Sequence, residues 1–231
     1  MRDKLVSLGV DLPRKDKDGI NYISYSQYTS FKGETGFNTG LPGQWEYIQS
    51  YFLGKSWPDQ GWAQFGKDVE DYICERKASE TFRENEKKTL EKIVPLGRFQ
   101  QEVKLWIAKD LYLLGYIDDA TEDLMHIRDY KTCSSNSSKK YYEPEYEQLD
   151  LYAMWVKQET GRLPEKLEVC MIERKGNVFG MKERRDLLSV GNEVWYHTRE
   201  TSEERLEKVK NNLMKQVFMI SDLYKVFKEW Q

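Results

Sequence analysis

GYIDDATEDLMHIRDYKT, residues 115–132, is the stretch whose reading decides the fold. Asp118 and Asp129 stand eleven positions apart, and Lys131 follows the second by two. Around them the chain is rich in Leu, Ile, Met and Tyr, which reads as two strands of a hairpin turning across Thr121–Asp123. Strand side chains alternate with period two, so an even loop puts Asp118 and Asp129 on one face, opposite or one diagonal step apart. Their Cβ atoms would then lie roughly 5–8 Å apart, with Lys131 beside them. Two carboxylates so close repel unless positive charge stands between them. A hard divalent cation supplies it, and Mg²⁺ takes carboxylate oxygens while keeping waters. Such a site, with Lys131 steadying charge or orienting water, fits phosphodiester hydrolysis. A structural ion pair fits the same spacing, and the strand pattern alone leaves both open.

Working outward, three consecutive strands are expected at QEVKLWIA (101–108), LYLLGYID (111–118) and LMHIRDYKT (124–132), and two more at EKLEVCMIER (165–174) and EVWYHTR (193–199). Helices are expected over residues 24–31, 44–53, 62–77, 84–94 and 144–159, the last closed by Gly161. A final helix opens on the capping-box pair Thr201 and Glu204. Its buried stripe comprises Leu206, Val209, Leu213, Val217, Ile220, Tyr224 and Phe227. This order predicts an α/β (α+β) fold in which helices flank a central mixed sheet of about five strands. Residues 1–21 read as a polar, loosely held N-terminal segment, and residues 22–231 as one domain.

The 231 residues are 32% charged and 39% hydrophobic, with a net charge of −3. That balance describes a globular chain and does not advertise a nucleic-acid binder, although an acidic metal site can sit beside a basic groove. Cys74, Cys133 and Cys170 are isolated, which excludes a zinc ribbon and an ordinary four-cysteine iron–sulfur cluster. Lone cysteines without a signal peptide point to an intracellular, cytoplasmic setting, and the chain's compactness fits a bacterium or phage-infected cell. No apolar run approaches the roughly 20 residues that span a bilayer.

GYID, then ten residues, then DYK resembles the core signature of the PD-(D/E)XK nucleases, with Asp118 ending the first element. The chain is similar to the RecB-type exonuclease branch in three further places. ISYSQYTSF (23–31) resembles its opening Ser-x-Ser helix, without the iron–sulfur cysteines of some members. FGKDVEDYI (65–73) resembles the helix carrying its first ligand, here Glu70 where many relatives have His, with Asp68 and Asp71 adjacent. QLDLY (148–152) matches its Gln-x-x-x-Tyr motif, and Gln148 and Tyr152 share a helix face. On the residues alone, that last string is better read as a helix packed on the sheet through Leu149, Tyr152 and Val156, with Gln148 at its margin.

The resemblance implies a restriction-endonuclease-like core and a metal-dependent deoxyribonuclease. Glu70, Asp118, Asp129 and the Tyr130 carbonyl would hold one or two Mg²⁺ or Mn²⁺ ions. Lys131 would be catalytic with the three acids, and Gln148 and Tyr152 would support site or substrate. The expected activity is exonucleolytic, favouring single-stranded DNA, in recombination, repair or replication, with a replication or recombination protein as candidate partner. The alternatives are a non-catalytic DNA-binding or scaffold domain and a structure-selective endonuclease. Lys139, Lys140, Tyr141 and Tyr142 read either as a solvated loop or as backbone-and-base contacts. Arg184 and Arg185, with Lys182, are candidate backbone contacts.

Overall fold

The computed structural model describes residues 2–34, 39–58, 60–134, 146–177 and 184–231. Its elements in chain order are β1 (Asn21–Ser24), α1 (Tyr25–Lys32), α2 (Gly43–Tyr47), α3 (Gly61–Glu75), α4 (Glu84–Leu90), β2 (Arg98–Ala108) and β3 (Leu111–Ala120). They continue with β4 (His126–Cys133), α5 (Gln148–Thr160), β5 (Lys166–Gly176), β6 (Leu188–Arg199) and α6 (Glu203–Glu229). The result is a mixed sheet flanked by helices, with six strands among the described residues where about five were expected.

The extra strand is β1, four residues that pair in parallel with Leu111–Leu114 of β3. It exists because the N-terminal segment is not loosely held, which corrects the reading from its polar composition. Val10, Leu12 and Ile20 are buried. The Asn21 side chain accepts from the Leu12 N–H (2.9 Å) and donates to the Val10 carbonyl (2.9 Å). Three apolar residues and one amide outweigh the charges around them.

β3 is the organising strand. One edge carries β2 as a long antiparallel partner. The other edge is shared: β1 takes Leu111–Leu114, while β4 pairs only at Asp119–Arg128 and Ala120–Ile127. Between them the sheet forks, leaving β3 without a strand partner on that side from Gly115 to Asp118 among the described residues. The hairpin turn comes slightly later than expected. Thr121 and His126 close it (3.0 Å), and Leu124 takes a left-handed φ of 61°. The register still sets Asp118 in line with Asp129, one step beyond the last pair. β5 continues parallel to β4 and antiparallel to β6.

Two apolar clusters sandwich the sheet. One joins α1, α5 and α6 to β2–β5 through residues such as Phe31, Leu113, Leu151 and Val217. The other joins α3 and the residues after α4 to Tyr130, Ile172, Leu188 and Val190. α6 buries Leu206 through Ile220 as its periodicity dictates, but its cap is Ser202, which accepts from the Arg205 N–H. Thr201 instead reaches Asp150 (3.3 Å), because that buried carboxylate, already held by Arg205, needs further donors. α5 begins at Gln148 behind Glu147, and Gly161 with φ 78° ends it. Among the described residues no helix is long and apolar enough to cross a membrane.

Candidate active site

Where β4 leaves β3, main-chain donors lose their ladder partners and must find others. The Tyr130 N–H finds the Asp118 Oδ2 (2.8 Å), so that carboxylate bridges the fork. On the other edge, the β2 ladder pairs Phe99 with Asp119 and Gln101 with Ile117 but skips Gln100, whose φ is 47°. A non-glycine residue at such a φ is uncommon and stores strain, which clusters at functional sites. Asp118 therefore stands where the sheet is irregular on both sides.

Asp129 is 1% exposed. Its Oδ2 receives the Lys131 ammonium (2.5 Å) and lies 2.9 Å from the Tyr146 hydroxyl. Its Oδ1 is buried and accepts no hydrogen bond. Lys131 also donates to the Tyr130 carbonyl (3.3 Å), the main-chain oxygen expected to serve as a ligand. The Tyr130 side chain points elsewhere, donating to the buried Asp119 (2.7 Å).

Glu70 comes from α3, which buries Phe65, Val69, Tyr72 and Ile73 and leaves Glu70 half-buried at the margin of that stripe. Its carboxylate accepts a hydrogen bond from the Gln100 side-chain amide. Neighbouring Asp68 is occupied by Gln64 (2.7 Å) and Arg185 (2.6 Å). Burial and then the Asp129 charge push Glu70 up to about 7, against the pull of Lys131. Burial, Asp129 and Glu70 likewise hold Asp118 well above the usual carboxylate range, again opposed by Lys131. The three acids and the lysine thus act on one another as a single electrostatic cluster. As the side chains lie, no three His, Cys, Asp or Glu groups among the described residues are close enough to hold a metal. Glu70 accepts from Gln100, and Lys131 lies on Asp129.

Behind Asp129 runs a line of hydroxyl and amide groups. The Tyr146 hydroxyl is 2.7 Å from the Gln148 Oε1, and the Gln148 Nε2 is 2.9 Å from the Tyr152 hydroxyl. One hydroxyl proton cannot serve both Gln148 and Asp129. Turning the near-isosteric amide end for end gives each group one role. Tyr152 then donates to Gln148, Gln148 to Tyr146, and Tyr146 to Asp129. Burial and the nearby carboxylates push both phenols well above their usual range, keeping them protonated as donors. The line needs Gly115, since a Cβ there would meet the Tyr152 ring at 2.8 Å.

The fold therefore brings Glu70, Asp118, Asp129, Lys131, Gln148 and Tyr152 to one region. The arginines expected to touch DNA are otherwise engaged. Arg185 pairs with Asp68 and lies over Phe65 (4.9 Å) and Phe82 (5.4 Å), so it serves packing. Arg184 pairs with Asp186. Lys139, Lys140, Tyr141, Tyr142 and Lys182 lie outside the described residues. Sequence reasoning missed Tyr146 and Gln100. Tyr146, two residues before Gln148, was visible only as the end of an aromatic-rich loop, and Gln100 gave no signal.

No family model matches the chain, and no curated protein matches it. Among solved structures, it resembles a crystal structure from Eubacterium rectale described as a "putative exonuclease". The TM-score is 0.57 over 88% of this chain and 82% of that one, at 13% identity. At that identity the likeness is one of fold alone, a mixed sheet flanked by helices.

Proposed function

We propose that the chain is a divalent-metal-dependent deoxyribonuclease of the PD-(D/E)XK, RecB-type kind. It hydrolyses phosphodiester bonds from DNA ends, favours single strands, and serves recombination, repair or replication. The observation carrying this reading is the geometry of the β3–β4 fork, where Asp118 accepts from the Tyr130 N–H and Lys131 lies between Asp129 and the Tyr130 carbonyl. The solved neighbour described as an exonuclease supports it at the level of fold.

The donor set suits Mg²⁺ or Mn²⁺. It is all oxygen, burial and neighbouring charge hold Asp118 and Glu70 above the usual carboxylate range, and Asp129 Oδ1 is a buried acceptor with nothing to accept from. Asp118, Asp129 and the Tyr130 carbonyl would hold the ion. Glu70 would join them after release from Gln100. When bound, the ion supplies Lewis-acid activation of phosphate and water. Asp129 keeps Lys131 beside the fork, where its ammonium can stabilise charge developing on the phosphate or orient the attacking water. The Tyr146 line fixes the Asp129 carboxylate, so that Oδ1 stays presented.

End-labelled single- and double-stranded oligonucleotides incubated with Mg²⁺ or Mn²⁺ test the reading. Wild type should shorten DNA from an end, and Asp129→Asn and Lys131→Ala should be inactive yet folded. Full cleavage by either variant overturns it. A non-catalytic DNA-binding module draws support from one observation: among the described residues no three His, Cys, Asp or Glu groups come together, and Glu70 bonds Gln100. That reading requires that Mg²⁺ and Mn²⁺ fail to bind, which calorimetric titration decides. Cutting of end-free circles would identify an endonuclease instead.

A further inference from the structure

β3 carries a second surface. Leu111, Leu113 and Ile117 belong to the core, and Tyr112, Leu114 and Tyr116 alternate with them on the other face. Tyr112 pairs in register with Trp106 of β2 and with Tyr22 of β1. Three rings therefore stand in one row across three adjacent strands. Trp106 and Tyr112 have centroids 5.2 Å apart, while Tyr22 stacks on Tyr112 at 5.7 Å and 17°.

Cations interleave with the rings. Arg2 lies 4.6 Å over Trp106, and Lys104 lies 4.9 Å from Trp106 and 4.2 Å from Tyr112. Arg14 lies 6.0 Å over Tyr22 and 5.2 Å over Tyr51. The Asp16 carboxylate touches the row, at 3.3 Å from the Tyr112 hydroxyl and 3.7 Å from Lys104. Glu102 follows two rows on, opposite Tyr116. The platform is braced from behind. The Gln158 side-chain amide bonds both main-chain groups of Trp106 (3.0 Å each), pairing the β2 edge as a strand would. Tyr112 is a buried spacer, whereas Tyr22 and Trp106 are half-buried and Arg14 is exposed.

Cross-strand aromatic pairs stabilise a sheet, and packing alone would account for the rings. It does not account for three cations set over half-exposed faces. Along β3 the alternate set continues through Leu114 to the exposed Tyr116, two residues before Asp118.

We propose that this row is a stacking platform for single-stranded DNA, continuous with the β3–β4 fork. The proposal rests on the nuclease reading of that fork and adds where the strand lies. Bases stack on Trp106 and Tyr22 in place of Arg2 and Arg14, whose guanidinium groups turn with Lys104 to the phosphates. A duplex, whose bases are already stacked on each other, gains nothing from the rings.

The test is fluorescence anisotropy with a labelled oligo-dT of roughly 15 nucleotides, in EDTA so that nothing is cut. Trp106→Leu with Tyr22→Leu keeps apolar bulk and removes the rings; single-strand binding should weaken roughly tenfold or more, with duplex binding unchanged. Arg14→Glu with Lys104→Glu, a surface change that leaves the rings in place, should weaken binding and flatten its salt dependence. Wild-type affinity in the charge-reversed protein overturns the platform, as does equal loss of duplex and single-strand binding in the ring variant. Binding is read without divalent ion, so the two readings fail separately. Ring-dependent binding without cleavage removes only the nuclease reading, and cleavage with ring-independent binding removes only the platform.

Discussion

Tyr146 has its hydroxyl 2.9 Å from Asp129 and 2.7 Å from Gln148, and its ring packs edge-on to Tyr25 at 6.2 Å. Removing the hydroxyl alone leaves that packing intact and frees Asp129 to turn. Tyr146→Phe should therefore lower cleavage, or affinity for the divalent ion, by roughly 10–100-fold with little change in KM for DNA. Titrating Mg²⁺ against cleavage rate in folded protein reads this directly, and an unchanged curve removes Tyr146 from the site. Asp118 is held against its neighbours' charge. Asp118→Asn should accordingly stabilise the metal-free protein by about 1 kcal/mol while abolishing cleavage, as a thermal melt in EDTA would show. Asp118, Asp129 and Lys131 were legible because covalent spacing and the strand pleat nearly determine their juxtaposition. Gln100 was not, since nothing in its chemistry announces a left-handed φ, and Tyr146 reaches Asp129 only across residues that carry no periodicity.

Elements with a strong period were readable to within a few residues. α3 and α6 show their buried stripes in the sequence, and β3–β4 shows its hairpin. β1 did not, because four residues are too few for a pattern and its pairing partner is ninety residues away. α2 was half legible: its helical period continues past Tyr47 as a π-helical turn, Ile48–Phe52, whose wider pitch no spacing rule anticipates. The contact between α5 and β3 is the element-level feature on which the site depends. It is set by Gly115, where a methyl group would meet the Tyr152 ring at 2.8 Å. Gly115→Ala should destabilise the fold by about 1–3 kcal/mol and lower cleavage by displacing Tyr152. Adding Tyr152→Leu should recover stability without recovering activity. Denaturant melts and end-label assays on the single and double variants separate these effects, and an active, wild-type-stable Gly115→Ala would show that the spacing is not tight.

At the scale of the molecule, the order of helices and strands was enough to imply a mixed sheet between helices, but not the fork within it. That depends on how far β4 stays beside β3, a balance of long-range contacts invisible to local pattern. One charge network decides part of that balance. Arg128 of β4 bonds Glu168 of β5 (2.6 Å) and the Val94 carbonyl (2.8 Å), and reaches Asp119 of β3 (3.5 Å). Asp119 in turn accepts from the Leu96 and Gly97 N–H groups, so three strands and the α4–β2 connection share one set of buried charges. Burial alone would raise the Glu168 pKa, but His126, Lys166 and Arg128 around it outweigh burial and bring it down to about 2. A carboxyl whose folded pKa lies below its unfolded value near 4.5 contributes stability that is complete above about pH 4.5 and is lost as pH falls toward 2. Glu168 is 2% exposed, and the shift corresponds to about 3 kcal/mol. Glu168→Gln should cost about that much near neutrality, and its unfolding free energy should converge on wild type as pH approaches 2. Urea melts of both proteins between pH 7 and pH 2.5 measure the gap. A gap that stays constant with pH would mean that Glu168 acts through shape and hydrogen bonding rather than charge.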